Sequence, residues 1–301
     1  MNAKRIVDKA LANGYVVPAF NVPHLPMIKP ITQAVADEES IGMIQVARLE
    51  WEKFESESLE RVAEEYAKYQ KPGYTLLHLD HVPVIDEDHL EVDYLEVIGR
   101  AIKAGYQSVM VDGSRLDLAG NIEATAKAAA LAHAAGIPIE AELGAVMGHE
   151  SAQQAIPYEE IFAGKMGFTD VDEAIRFVRE SQCDWLSVAV GSVHGAIAEN
   201  LLDKKKPAAK LDIERIAQLE EALKIPLVLH GGSGIEQDYI TRGIKAGIAK
   251  INVGTELRQP YEAAMRETND VEHAQQRVYL RCRELIRDFL QTAGNAKILN
   301  A

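Results

Sequence analysis

The sequence predicts a closed (β/α)8 barrel, eight parallel strands alternating with helices, as a single domain over residues 1–301. Three observations predict it. Short apolar segments rich in β-branched residues recur eight times along the chain. Stretches with apolar residues at helical spacing lie between most of them. The length of 301 residues is one that such barrels commonly use for one domain. Neither a linker that would split the chain nor a tandem repeat interrupts the alternation.

The elements follow in order. MNAKRIVDKALANGY opens the chain as an amphipathic helix, charged throughout and without the apolar centre of a signal peptide. The strands are YVVPAFNV (15–22), GMIQVA (42–47), TLLHLD (75–80), SVMVD (108–112), IPIEAEL (137–143), WLSVAV (185–190), PLVLH (226–230) and AKINV (249–253). Most are near-continuous apolar runs, as expected of parallel strands covered on both faces. NIEATAKAAALAHAAG (121–136) and DVDEAIRFVRES (170–181) show the helical spacing of the connecting segments. A C-terminal helical stretch over 256–292 suits either a subunit interface or packing on its own barrel. Two connections are long: 144–168 reads as a lid and 195–210 as a flap after the sixth strand.

Composition narrows the partners. A formal net charge of −14 disfavours a nucleic-acid backbone or an anionic membrane, which would repel the chain at long range. The short KKK at 204–206 reads as a solvated loop, and no run is long enough to span a bilayer. Cys183 and Cys282 lack CxxC spacing, so a reducing compartment and a cytoplasmic location are expected.

In this fold the chemistry gathers at the C-terminal ends of the strands. Polar residues stand at seven of those ends: Asn21, Asp80 with His81, Asp112, Glu140 with Glu142, His194, His230 and Asn252. Three histidines from three strand ends, His81, His194 and His230, match a three-ligand catalytic zinc site with an open position. His78 lies inside a strand and reads as a core residue. His24, His89, His133 and His273 read as loop or helix-surface positions, and His149 belongs to the lid. GGSG (231–234) after the seventh strand and NVGT (252–255) after the eighth are loops whose backbone N–H groups suit phosphate oxygens, in the usual place for this fold.

HLDH (78–81), SVMVDGS (108–114), EAELG (140–144), AVGSVHG (189–195), PLVLHGGSG (226–234) and KINVGTEL (250–257) together resemble the class II, zinc-dependent ketose-bisphosphate aldolases. The resemblance runs over almost the whole chain. It implies one catalytic zinc ion on His81, His194 and His230, with Asp112 and Glu142 lining an alternative metal position. Asp80 is implied as the general acid and base, and Glu150 as a mobile proton carrier. Gly195, Gly231, Gly232, Ser233, Asn252, Gly254 and Thr255, with Asn21, are implied in substrate and phosphate binding, and Arg258 is a candidate for a second phosphate. No lysine Schiff base is required.

The implied reaction is cleavage of a phosphorylated ketose, a tagatose or fructose 1,6-bisphosphate or a related ketose 1-phosphate, to dihydroxyacetone phosphate and an aldehyde. Departures bear on the substrate. Ala47 stands where a serine is usual, followed by Arg48, and Val82 replaces a glycine; both changes are expected to narrow or repolarise the mouth. Gly254 replaces an aspartate of the fructose-type members, and Ala196 a tyrosine. Two rivals stand beside this reading: a zinc-dependent sugar-phosphate epimerase using the same bond cleavage, and a non-catalytic partner subunit of an aldolase. The resemblance also implies a homodimer or homotetramer and leaves a monovalent cation open.

Overall fold

The computed structural model describes residues 1–144, 158–192, 209–232 and 234–301. Within them, eight parallel strands close into a barrel in chain order. The strands are β1 (Val17–Asn21), β2 (Gly42–Ala47), β3 (Thr75–Asp80), β4 (Ser108–Val111), β5 (Ile139–Leu143), β6 (Trp185–Val188), β7 (Leu227–Leu229) and β8 (Ile248–Val253). β8 returns to β1, pairing Asn252 with Ala19.

All eight expected strands are present, β2 and β3 with the bounds read from the sequence. β8 starts one residue earlier, at Ile248, and the other five are trimmed, several for local reasons. Pro138 and Pro226 have no N–H to give to a ladder, so β5 and β7 begin one residue later. The N–H of Tyr15 is taken by the carbonyl of Ala10 at 2.9 Å, which delays β1. Ala189 donates to the Thr169 hydroxyl at 2.8 Å instead of to a strand, and β6 has ended at Val188.

Thirteen α-helices surround the strands among the described residues: α1 (Ala3–Ala12), α2 (Ile28–Asp37), α3 (Arg48–Lys53), α4 (Leu59–Tyr69), α5 (Tyr94–Ala104), α6 (Leu118–Ala134), α7 (Tyr158–Gly164), α8 (Val171–Ser181), α9 (Ile213–Leu223), α10 (Gln237–Ala246), α11 (Thr255–Thr268), α12 (Val271–Glu284) and α13 (Ala296–Asn300). Asp93, Asp117, Asp170 and Asp212 cap α5, α6, α8 and α9, each accepting backbone N–H groups of the first turn. The helical stretch at 256–292 proves to be several pieces. Asn269 turns left-handed (φ 50°) after α11, and Asp270 caps α12. α12 lies against α2 and α11, on its own barrel. No helix among the described residues is long and apolar enough to cross a membrane.

Two apolar layers hold the barrel. The outer one joins strand residues such as Phe20, Leu77, Val109 and Leu186 to helix residues such as Ile31, Ile98, Phe177 and Ile216. The inner one comprises Val17, Ala19, Met43, Leu76, Trp185 and Val228, against which α1 sets Ala3, Ile6, Val7 and Ala10. Side chains alternate along a strand with period two. Two or four residues beyond these inner positions stand Asn21, Gln45, His78, Asp80, Ser187 and His230, all on the same strand faces. The interior is therefore apolar at one end and polar at the C-terminal mouth.

Candidate active site

Asp80 ends β3 and His81 follows it, so regular pleating would send their side chains to opposite faces. The backbone turns instead: His81 has φ 21°, a sparsely populated value for a residue with a Cβ. Both side chains then reach the mouth. His81 Nδ1 donates to Asp112 Oδ2 at 3.1 Å, and His230 Nε2 donates to Glu140 Oε1 at 2.7 Å. With its outer nitrogen anchored on a carboxylate, each ring turns the other inward, and His81 Nε2 lies 2.8 Å from His230 Nδ1. Two imidazole nitrogens so close need a proton or a cation between them.

The donor set fits a divalent metal. Ligand atoms of Asp80, His81 and His230 lie within 4.8 Å of one another, as do those of His81, Asp112 and Glu142. Carboxylates behind the imidazoles are the usual means of orienting histidine ligands. In the metal-free chain a proton takes that place. Burial pulls the proton affinity of His81 down, but Asp80, Asp112 and Glu142 outweigh it and raise the pKa to about 10. Burial and the charge of His81 lower that of His230. Burial, then Asp112, lifts Glu142 to about 8. Two of the three expected metal ligands are thus brought together; His194 lies outside the described residues, as do Glu150, Gly195 and Ser233.

Asp80 is buried beside this pair. Its Oδ2 accepts from Asn21 Nδ2 at 2.9 Å and Gln45 Nε2 at 3.2 Å, and its Oδ1 accepts from Asn252 Nδ2 at 3.0 Å. Burial raises its pKa, but its neighbours His81, His230 and Lys250, His81 foremost, outweigh that and leave it low. The result is an ionised carboxylate held by three amides, which suits a base of fixed direction.

Glu50 on α3 enters the same network. Its Oε2 accepts from the Ala47 N–H at 2.8 Å and from Asn21 Nδ2 at 3.3 Å. Burial, with a smaller contribution from Asp80, pushes it up to about 8. A raised carboxylate pKa means that the folded chain holds a proton the unfolded chain releases from pH 4.5 upward. Its stabilising share is complete at lower pH and is lost as pH rises toward 8. Glu50→Gln is expected to flatten the decline in metal-free stability between pH 5 and 9, read from urea midpoints; a variant whose midpoints fall as steeply as the parent's would refute it.

The loops after β7 and β8 complete the mouth. Gly231 has φ 68°, which favours glycine, and a Cβ on Gly232 would stand 2.9 Å from the Ile251 side chain and 3.2 Å from the Asn252 carbonyl, a crowded position that also favours it. Gly254 is different: a Cβ there would meet Asn21 at 3.6 Å, ordinary contact, and the residue simply leaves room above Asn21. Thr255 begins α11, whose 14 residues present an N-terminus to the mouth. Arg258, one turn on, is buried, ion-paired with Glu262 at 2.8 Å and set over the Phe54 ring. Its guanidinium already has a carboxylate partner.

Two expectations need correction. His24, read as a loop or surface position, is in a loop but buried: its ring stacks on Tyr261 with centroids 4.9 Å apart and bonds Glu55 and Glu262. Val82 does not narrow the mouth; it is fully buried in the outer layer. Arg48 pairs with Glu52 at 2.7 Å and Asp86 at 3.3 Å, which balances its charge. The sequence reading also missed participants. The sequence by itself assigns no role to Lys250, Gln45 or Glu50, and marks Glu140 only as a strand-end residue. Spacing carried a signal: His78/Asp80, Glu140/Glu142 and Lys250/Asn252 are polar pairs two apart in otherwise apolar strands.

A model of the family described as fructose-bisphosphate aldolase class-II matches residues 1–296. The chain belongs to the class-II fructose-bisphosphate aldolase family. Among solved structures it is similar to the YdjI aldolase from Escherichia coli K12, at 28% identity and a TM-score of 0.76, over 97% of this chain and 98% of that one. It is likewise similar to a protein from Coccidioides immitis described as a fructose-1,6-biphosphate aldolase, at 26% identity and a TM-score of 0.77, over 98% of each chain. Fructose-bisphosphate aldolase from Campylobacter jejuni shares the fold at 18% identity, with a TM-score of 0.68 over 96% of this chain and 94% of that one. This class-II aldolase is therefore a lyase of a family generally dependent on a metal. Its one barrel-interior lysine among the described residues supports that assignment. Lys250 is fully buried and ion-paired with Glu140 at 2.9 Å, whereas a Schiff-base lysine must offer a neutral, reachable amine.

Proposed function

We propose that this class-II aldolase is zinc-dependent and cleaves a phosphorylated ketose to dihydroxyacetone phosphate and an aldehyde. The observation that carries the reading is the placement, in one barrel mouth, of two facing imidazoles backed by carboxylates and a base held by three amides. His81 and His230, with His194, would hold the ion. When bound, it supplies the positive charge that a developing enediolate requires.

The chain's own groups do the rest. Backbone N–H groups around Gly231 and Gly232, and the start of α11 at Gly254 and Thr255, suit the phosphate on carbon 1. Asp80 takes the proton of the C4 hydroxyl; the C3–C4 bond breaks, C4 leaves as the aldehyde, and its bonding electrons remain on C3 as the enediolate. Protonation of C3, assigned to Glu150, then yields dihydroxyacetone phosphate. Asn21 and Asn252 keep the Asp80 oxygens aimed during the transfer. Room above Asn21 at Gly254 favours a substrate other than fructose 1,6-bisphosphate, because a hydroxyl-binding carboxylate is missing there.

The test is a coupled assay across ketose 1-phosphates and 1,6-bisphosphates of the four stereochemical series. Release of triose phosphate from at least one, lost on chelation and restored by zinc, is expected. Isomeric ketoses without trioses would replace the proposal with an epimerase, and turnover untouched by chelation would remove the metal from it.

A further inference from the structure

Beneath the mouth a continuous chain of polar contacts runs across the barrel interior. His230 Nε2 donates to Glu140 Oε1 at 2.7 Å. Glu140 Oε2 meets Lys250 Nζ at 2.9 Å, and Lys250 Nζ donates to Asn252 Oδ1 at 2.7 Å. Asn252 Nδ2 then donates to Asp80 Oδ1 at 3.0 Å. Glu140 and Lys250 are each fully buried, so neither is a surface ion pair screened by water. His78 fills the remaining side: it bonds the Ser108 hydroxyl at 2.8 Å, and its Nε2 stands 3.6 Å from Glu140 Oε2.

The chemistry of an ammonium makes this chain directional. Lysine has only N–H donors, so whatever touches Nζ must accept. Asn252 must therefore present its carbonyl oxygen to Lys250, and its NH2 is left with one direction, toward Asp80. Glu140 likewise stays an anion on the Lys250 side, and an anion on its other oxygen requires the N–H of His230 at Nε2. His230 Nδ1 is then the nitrogen that faces His81 and the metal position. Glu140 comes from β5 and Lys250 and Asn252 from β8, strands that pair neither with each other nor with β3, and the cation between Glu140 and Asn252 satisfies both.

Resting on the metal-dependent reading above, we propose that Lys250 is a positioning residue which sets, through Glu140 and Asn252, both the metal-facing nitrogen of His230 and the donor that aims Asp80. It touches neither metal nor substrate. One buried charge thereby holds the ligand and the base in a common geometry.

The experiment has three parts. Zinc affinity of the full-length wild type is measured by chelator competition; if wild type takes up no zinc, the metal-dependent reading fails whatever Lys250 does. With zinc bound by wild type, Lys250→Met is expected to weaken zinc about 10–100-fold, the usual cost of disturbing a ligand's hydrogen-bond partner. It is also expected to lower kcat more than it raises KM. Wild-type zinc affinity and kcat in a folded Lys250→Met protein would overturn the proposal. If that variant does not fold, Glu140→Gln/Lys250→Met removes both charges together; a zinc affinity weakened at least about tenfold is expected, and an unchanged one overturns it. Finally, 15N spectra of the metal-free wild type should show the His230 ring proton on Nε2. A proton resident on Nδ1 with Nε2 bare would refute the inference without any variant.

Discussion

Under the proposed zinc-dependent reading, replacing His230 by alanine is expected to abolish zinc binding and reduce aldol cleavage to background. The loss of affinity should exceed the roughly 10–100-fold that follows from disturbing a ligand's partner, because a donor atom itself is gone. It should also unsettle the neighbours. His230 lies between Glu140, at 2.7 Å, and Glu142, at 3.3 Å, and its removal leaves two buried carboxylates beside an empty volume. His81→Ala should act likewise through Asp112, which burial raises but the His81 contact holds low. Metal content after dialysis and steady-state cleavage check both variants, with circular dichroism confirming the fold. Stoichiometric zinc and undiminished turnover in His230→Ala would remove the site from this mouth.

If Asp80 is the proposed base, Asp80→Asn is expected to lower kcat by about 10²–10⁴-fold without loss of the proposed zinc ion, the range associated with losing a positioned acid or base. The substitution keeps the shape but alters the chemistry. An amide cannot take the C4 hydroxyl proton, and its NH2 must face one of the amide donors of Asn21, Gln45 or Asn252 that now meet the carboxylate. KM should move less than kcat, since the charge matters at proton transfer. Measured zinc content, kcat and KM decide it. Turnover within about twofold of the parent would mean that another group takes the proton, and Glu50, hydrogen-bonded to the same Asn21, would be the residue to test next.

Much of the scaffold could be read directly. Alternation of apolar strands with amphipathic helices is a local property, and eight of eight strands appear where those patterns lie. Helix starts are local in the same way, an aspartate before an apolar-periodic run supplying acceptors for orphan N–H groups, although the stretch read from 121 begins at Leu118, after Asp117. The break between α11 and α12 had its signal too, in Asn269 followed by Asp270, yet one long stretch was expected there. Helical spacing on both sides hides the break, after which α12 packs against both α11 and α2.

The residue types of the site, and the strand ends that carry them, are written in the chain order: histidines, carboxylates and glycines at the C-terminal ends, with Asp80 beside His81. Their meeting is not. Period two tells which residues share a strand's face but not which strands lie opposite across a closed barrel, and His81 and His230, 149 positions apart, meet only because the barrel closes. The same closure brings Glu140 against Lys250, while burial decides that His24 and Val82 belong to packing. Local preference selects the elements. Distance, dielectric and the need to satisfy every buried charge select which of their side chains can act together.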